Sequence, residues 1–214
     1  SKYSFLPITA GGYFHLREVT QINKQNKKIN KGYLNFRNDN DKILKNSKNN
    51  IIIIGGVYSL YLYNKRIEGR ALHWGGKFVD KDTLQYNSTI IENDFVNFIT
   101  DLSVNNEVIL LYPIPEVGVN LQKRKFENMV RVFNYKYSDF LKQNSEVVYF
   151  LNKINIPKVH KVYPHKVFCN EIANLCSTHD KDNFFFFDGY HPSLKGAKMI
   201  NDMIIKKINL LENN

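Results

Sequence analysis

The stretch "FFFFDGYHPSLKGA" occupies residues 184–197. Four phenylalanines form an apolar run that meets an acid, a glycine, a tyrosine, a histidine and a proline directly afterwards. The run reads as a buried strand, Phe184–Phe187, which anchors the backbone. Gly189 permits a sharp exit turn, and Pro192 with Ser193 starts a helix, Ser193 being the N-cap residue. Beyond it Leu194, Ala197, Ile200, Met203, Ile204, Ile208 and Leu211 recur on one face at helical spacing, which predicts a helix over 193–211. Asp188 and His191 are thereby fixed to the rim where a strand ends. A separation of three residues in a turn lets the Asp188 carboxylate fold back onto Nδ1 of His191. That contact selects the tautomer whose Nε2 takes a proton from a nucleophile. In the plainer reading Asp188 only closes the turn and His191 packs beside Tyr190; spacing alone does not separate the two.

Outward from this block the chain alternates short apolar runs with amphipathic stretches. Strands are predicted at 3–9, 50–56, 107–113, 157–164 and 183–188, several of them apolar on consecutive positions, as strands covered on both faces must be. Helices are predicted at 87–103, 125–142, 145–154 and 193–211. Strand and helix in alternation imply a parallel sheet between helical layers, with chemistry in the crevice at the carboxyl ends of the strands. The Asn/Lys-rich stretch 23–50 reads as a surface insertion or a weak helix. With no internal repeat and no interdomain linker, residues 1–214 read as one domain.

Composition bounds the function classes. A chain of 214 residues with 43% hydrophobic and 23% charged residues buries a sizeable core. Its net charge of +10 comes from lysines scattered among asparagines rather than from an arginine-rich stripe with interleaved aromatics. That argues against nucleic acid as a partner and leaves a solvated surface or attraction to anionic headgroups or acidic polysaccharide. No run approaches the roughly 18 consecutive apolar residues of a membrane span, and "SKYSFLPITAGG" lacks the order of a signal peptide. The abrupt apolar start reads as a piece cut from a larger protein. Cys169 and Cys176 in "FCNEIANLC" are spaced too widely for a CxxC motif. The alternatives are a small disulfide loop, which is favoured and would imply an oxidising compartment, or two buried thiols. His160, His165 and His179 have no carboxylate or cysteine at ligand spacing, so no metal and no cofactor is expected. Tyr58 and Trp74 are candidates for a substrate rim that stacks on a sugar ring, against the plainer reading of core packing. Pro113, Pro115 and Glu116 shape the exit from a strand.

The block 184–197 resembles the last signature of SGNH (GDSL-type) esterases and acyltransferases, whose D-x-x-H supplies two of three catalytic residues before the C-terminal helix. "EVILLYPIPEVGVN" (107–120) and "VFCNEIANLC" (167–176) resemble the C-terminal SGNH domain fused to the membrane acyltransferases of family 3, and "IIIIGGVYSLYL" (51–62) resembles a strand and helix of that group. The resemblance implies a three-layer α/β sandwich, a flavodoxin-like SGNH hydrolase fold with a parallel central sheet. It implies His191 as general base and acid, and Asp188 as its orienting partner. "FLPITAGGYF" (5–14) resembles the second strand and its oxyanion block, which implies a backbone N–H of Gly11 or Gly12 in the oxyanion hole.

Two departures shape the expectation. Gly-Asp-Ser, which carries the family's nucleophile, is nowhere in the sequence, and no Gly-x-Asn-Asp block is present. The nucleophile is therefore expected upstream of residue 1. Ser59 in "GGVYSLY" is a weaker alternative, since G-x-S-x-G is not matched. The function implied is acyl-ester hydrolysis or acyl transfer in O-acetylation or deacetylation of a bacterial surface glycan, on the periplasmic side of the inner membrane. A membrane acyltransferase domain in the same full-length protein is the expected partner. The competing class is an inactive SGNH-like module that binds glycan or a partner domain.

Overall fold

The computed structural model describes residues 4–8, 13–23, 25–65, 76–117 and 135–213. In chain order the elements are β1 (Val19–Asn23), α1 (Lys31–Lys45), β2 (Ile51–Ile54), α2 (Tyr58–Tyr63), β3 (Gly76–Asp80), α3 (Ser88–Asn105), β4 (Glu107–Leu111), α4 (Tyr137–Lys153), β5 (Val159–Val162), a 3-10 turn (Pro164–Val167), β6 (Cys169–Asn170), β7 (Leu175–Cys176) and α5 (Leu194–Glu212).

β2, β4 and β5 form a parallel sheet with β4 in the middle, in the register Ile51↔Glu107 and Val108↔Val159. Val108, Ile109 and Leu110 are all fully buried. Three consecutive apolar side chains sit without exposure because both faces of the strand are covered. Val108 and Leu110 join Phe95, Phe98 and Ile99 of α3 and Phe150 and Leu151 of α4 in the main core. Ile109 points the other way, with Val162, against Ile204 of α5, flanked by Met203 and Ile208. The result is a helix–sheet–helix sandwich, with α2, α3 and α4 on one side and α5 on the other. The same periodicity that predicts the last helix thus sets which face of the sheet it covers.

Three helix starts are fixed by side chains close in sequence. Asn30 caps α1 by accepting from the N–H groups of Gly32 and Tyr33, Asn87 caps α3 through Ile90 N–H, and Ser193 caps α5 through Gly196 N–H. α4 has no cap of its own. Its Ser138 N–H donates to Asn174 Oδ1 at 2.8 Å, from the tip of the β6–β7 hairpin that the Cys169–Cys176 disulfide closes.

An antiparallel pair, β1 with β3, was not legible in the sequence. Tyr33 of α1 packs edge-on against Phe78 of β3, with ring centroids 5.6 Å apart. Asn64, in the left-handed conformation (φ 50°) at the end of α2, bonds both the N–H and the C=O of Phe78 at 2.8 Å.

Several boundaries are corrected. Residues 4–8 form no strand, and Phe5 and Leu6 are 80% and 65% exposed. Pro7 in their midst has no N–H to give to a ladder. The lysine-rich stretch holds α1, a full helix. The expected helices at 125–142 and 145–154 meet as one helix, α4, within the described residues; 118–134 lie outside them. The phenylalanine run is not a sheet strand. It makes two isolated antiparallel bridges, His179↔Phe184 and Phe186↔Pro192, because the chain turns just before it, at Asp180–Asn183, and again at Asp188.

Candidate active site

Phe185 and Phe186 are 7% and 0% exposed and pack with Phe168 and Cys176; the Phe168 and Phe186 ring centroids are 5.1 Å apart. This anchor holds a short ladder. Phe187 N–H donates to His191 O at 2.7 Å, and Ser193 N–H to Phe185 O at 2.9 Å. Pro192 sits opposite Phe186 at the position between those bonds, where a ladder asks no N–H of it. The hydroxyl of Ser193 donates to Phe184 O at 2.6 Å and accepts from Gly196 N–H at 3.1 Å. It is the predicted cap, and its proton is directed at a backbone carbonyl.

Across the turn, Asp188 Oδ1 accepts from the backbone N–H groups of Tyr190 and His191, at 2.7 and 2.8 Å. Its other oxygen, Oδ2, lies 2.8 Å from Nδ1 of His191. One carboxylate therefore folds the turn and orients the ring. Partial burial pushes its carboxyl up, while the hydrogen bonds from the His191 ring and from the His191 and Tyr190 backbone pull it down. The result lies below the ordinary carboxylate range, so the group is ionised at neutral pH. An ionised oxygen only accepts, which places the proton on Nδ1 and leaves the lone pair of Nε2 directed away from Asp188. The His191 side chain is 74% exposed.

Asp188 thus closes the turn with one oxygen and orients the imidazole with the other, so it does more than the plainer reading allows. The exposure of Phe187, 59%, was missed. The sequence predicts burial for the whole run, whereas Phe187, the residue next to the turn, stands outward. Odd–even counting does not carry that signal, since Phe185, of the same parity as Phe187, is buried.

Gly11, Gly12 and Trp74 lie outside the described residues. Tyr58 is corrected: it is 1% exposed and its hydroxyl donates to Leu111 O at 2.8 Å, with Ile54 O at 3.3 Å. It ties the ends of β2 and β4 from within the core, and burial pushes its hydroxyl well above the ordinary range. Ser59 lies on α2, across the sheet from α5. His160 pairs with Glu107 at 2.6 Å on adjacent strands. His165 is buried against Phe140, and His179 sits 3.1 Å from Thr178. Among the described residues no three metal-ligating side chains converge. Cys169 and Cys176 are bonded. A cleft of about 580 Å³ lined by Tyr63, Glu92, Glu146 and Lys153 opens in the α2–α3–α4 layer, on the far side of the sheet from α5.

A family described as the SGNH domain fused to AT3 domains matches residues 1–206. The chain belongs to that family. The solved periplasmic domain of a Salmonella ser. Paratyphi A lipopolysaccharide acetyltransferase shares the fold of this SGNH domain. Its TM-score is 0.53 at 14% identity, over 86% of this chain and 65% of that one. The SGNH domain therefore spans just under two thirds of that structure's length. No curated protein matches it. No helix among the described residues is long and apolar enough to cross a membrane.

Proposed function

We propose that this SGNH domain carries two thirds of a serine-type acyl-transfer site, with His191 as general base and acid and Asp188 as its orienting anion. The observation that carries the reading is the 2.8 Å contact between Asp188 Oδ2 and His191 Nδ1, beside an exposed ring. The nucleophile is a serine on a segment preceding residue 1, since the 214 residues contain no Gly-Asp-Ser. Nε2 takes the serine proton as Oγ attacks the acyl carbonyl, and returns it to the oxygen of the leaving alcohol as that bond breaks. In the second half Nε2 takes the proton of the entering hydroxyl, whose oxygen attacks the acyl-serine, and returns it to Oγ. By the family resemblance the oxyanion is held in both halves by backbone N–H groups that include that of Gly11 or Gly12.

Family membership and the fold shared with a lipopolysaccharide acetyltransferase domain support an acetyl ester as donor and a bacterial surface glycan as acceptor. They also support a place outside the cytoplasm beside a membrane acyltransferase domain of the same protein. The Cys169–Cys176 bridge fits an oxidising compartment. The missing Gly-Asp-Ser favours a second reading, an inactive module that binds glycan.

One comparison separates the two. The 214-residue chain is expected to show almost no turnover of acetyl esters. A longer chain with the preceding segment is expected to be active, and to lose that activity on His191→Ala. Turnover by neither chain would favour the binding module, and turnover by the short chain that is lost on Ser59→Ala would move the nucleophile to α2.

A further inference from the structure

The backbone of Phe187 runs opposite that of His191 in the short ladder, and both side chains are exposed. Phe186 and Pro192 are the opposed pair, so the alternation of an antiparallel pair carries Phe187 and His191 together to the other face. Phe186 is buried completely, whereas Phe187 is 59% exposed and the His191 side chain 74% exposed; Phe185, one step further from the turn, is covered again. The bond from Phe187 N–H to His191 O at 2.7 Å fixes the two backbones against each other. The two residues are therefore held opposite each other at the backbone, each with an exposed side chain.

We propose that Phe187 is a contact residue for the alcohol partner of the acyl transfer, taking the C–H face of a pyranose ring and so contributing to acceptor choice. The proposal rests on the acyl-transfer reading above. Its argument is where the proton goes. Nε2 must reach the oxygen of the leaving alcohol in one half-reaction and of the entering alcohol in the other, within roughly 2.6–3.2 Å. The acyl carbon and its carbonyl oxygen lie further on, toward the nucleophile and the oxyanion donors. Opposed side chains on such a ladder stand roughly 4.5–5.5 Å apart at Cβ. A sugar whose hydroxyl engages Nε2 thus has the Phe187 ring as its adjoining wall. Aromatic faces bind the apolar face of a ring ligand by dispersion and water release. The acyl group, held on the other side of the reacting oxygen, makes no such contact.

The test uses the full-length protein, with vinyl acetate as donor because its leaving alcohol is too small to cover the ring, and a panel of methyl hexopyranosides as acceptors. Phe187→Ala is expected to raise the acceptor KM about tenfold, the scale of one lost apolar contact, and to shift partition from transfer toward hydrolysis. Phe187→Tyr, which keeps the ring, is expected to restore the wild-type KM, and Tyr149→Ala, an exposed aromatic on α4, to leave it unchanged. An acceptor KM for Phe187→Ala within about twofold of wild type, or a donor KM that rises in the same proportion, would overturn the proposal. So would a wild-type protein that neither acetylates any of the pyranosides nor shows contact with them by saturation-transfer NMR. His191→Ala in the same protein reports separately on the acyl-transfer reading. If transfer survives it, that reading and this proposal fall together; if transfer is lost while the Phe187 variants behave alike, only this proposal falls.

Discussion

Asp188 does two jobs with two oxygens, and substitution separates them. Asn at 188 keeps a carbonyl oxygen for the backbone N–H groups of Tyr190 and His191 but loses the anion that fixes the Nδ1–H tautomer. In an active longer chain, Asp188→Asn is expected to lower kcat roughly 1000-fold or more with little change in the thermal midpoint. A fall in midpoint matching the fall in rate would show that the residue acts only on the turn. Because its carboxyl lies below the ordinary range, the stability it contributes is present at neutral pH and is lost as pH falls through that lowered value. His165 works in the opposite region. Burial, with Lys166 adding to it, pushes its imidazole down to about 4 from an ordinary 6.5. Below pH 6.5 the unfolded chain takes up a proton that the folded chain refuses until about pH 4, so stability falls across that window as pH drops. His165→Gln is expected to flatten the urea midpoint between pH 7 and 4.5; an unchanged slope would assign the loss to other groups, of which His15, also lowered by burial, is the first. The Asp–His spacing was legible because a three-residue turn offers few geometries. The burial of Tyr58 was not, since nothing local says that a tyrosine after two glycines sends its hydroxyl inward to Leu111.

At the scale of elements, α5 is held to the site by the smallest residue in it. A Cβ on Gly196 would lie 2.0 Å from the carbonyl oxygen of Phe185, so the first turn of α5 meets the backbone of the phenylalanine run directly. Gly196→Ala must push the two apart. It is expected to cost about 2–3 kcal/mol in denaturant unfolding and, by shifting the ladder that carries His191, to lower turnover as well. Full stability in Gly196→Ala would mean that the helix start yields easily. The elements with strong periodicity were legible: the last helix, the helix before β4 and the apolar strands β2 and β4. The strand expected at 3–9 failed because apolar residues without a ladder partner stay irregular, and the pair β1–β3 was hidden because its polar positions, such as Gln21, are buried in the structure and break the alternation. Two expected helices became one because the apolar face of α4 runs through Asn144, a buried asparagine whose amide bonds back to Phe140 O at 3.0 Å.

At the scale of the whole molecule, the disulfide links parts that no single element joins. Cys176 belongs to the cluster of Phe168, Phe185 and Phe186 that anchors the Asp188–His191 turn, and its N–H donates to Tyr135 O at 2.7 Å just before α4. Asn174, in the loop it closes, caps α4 from outside the helix. One bond therefore braces the anchor of the site on one side and the start of a core helix on the other. The closed loop is short, with a sequence separation of 7, and the chain-entropy account gives such a loop about 2–3 kcal/mol. Reduction, or Cys169→Ser with Cys176→Ser, is expected to lower global stability by about that amount. Amide exchange should accelerate first at Ser138–Phe140 and at Phe185–Phe187, ahead of the sheet centre at Val108–Leu110. If exchange after reduction rose evenly across the chain, the bridge would act only through the unfolded state. If it rose at the α4 start and not at the phenylalanine run, the hairpin would serve as a helix cap and leave the dyad's anchor to the aromatic packing alone.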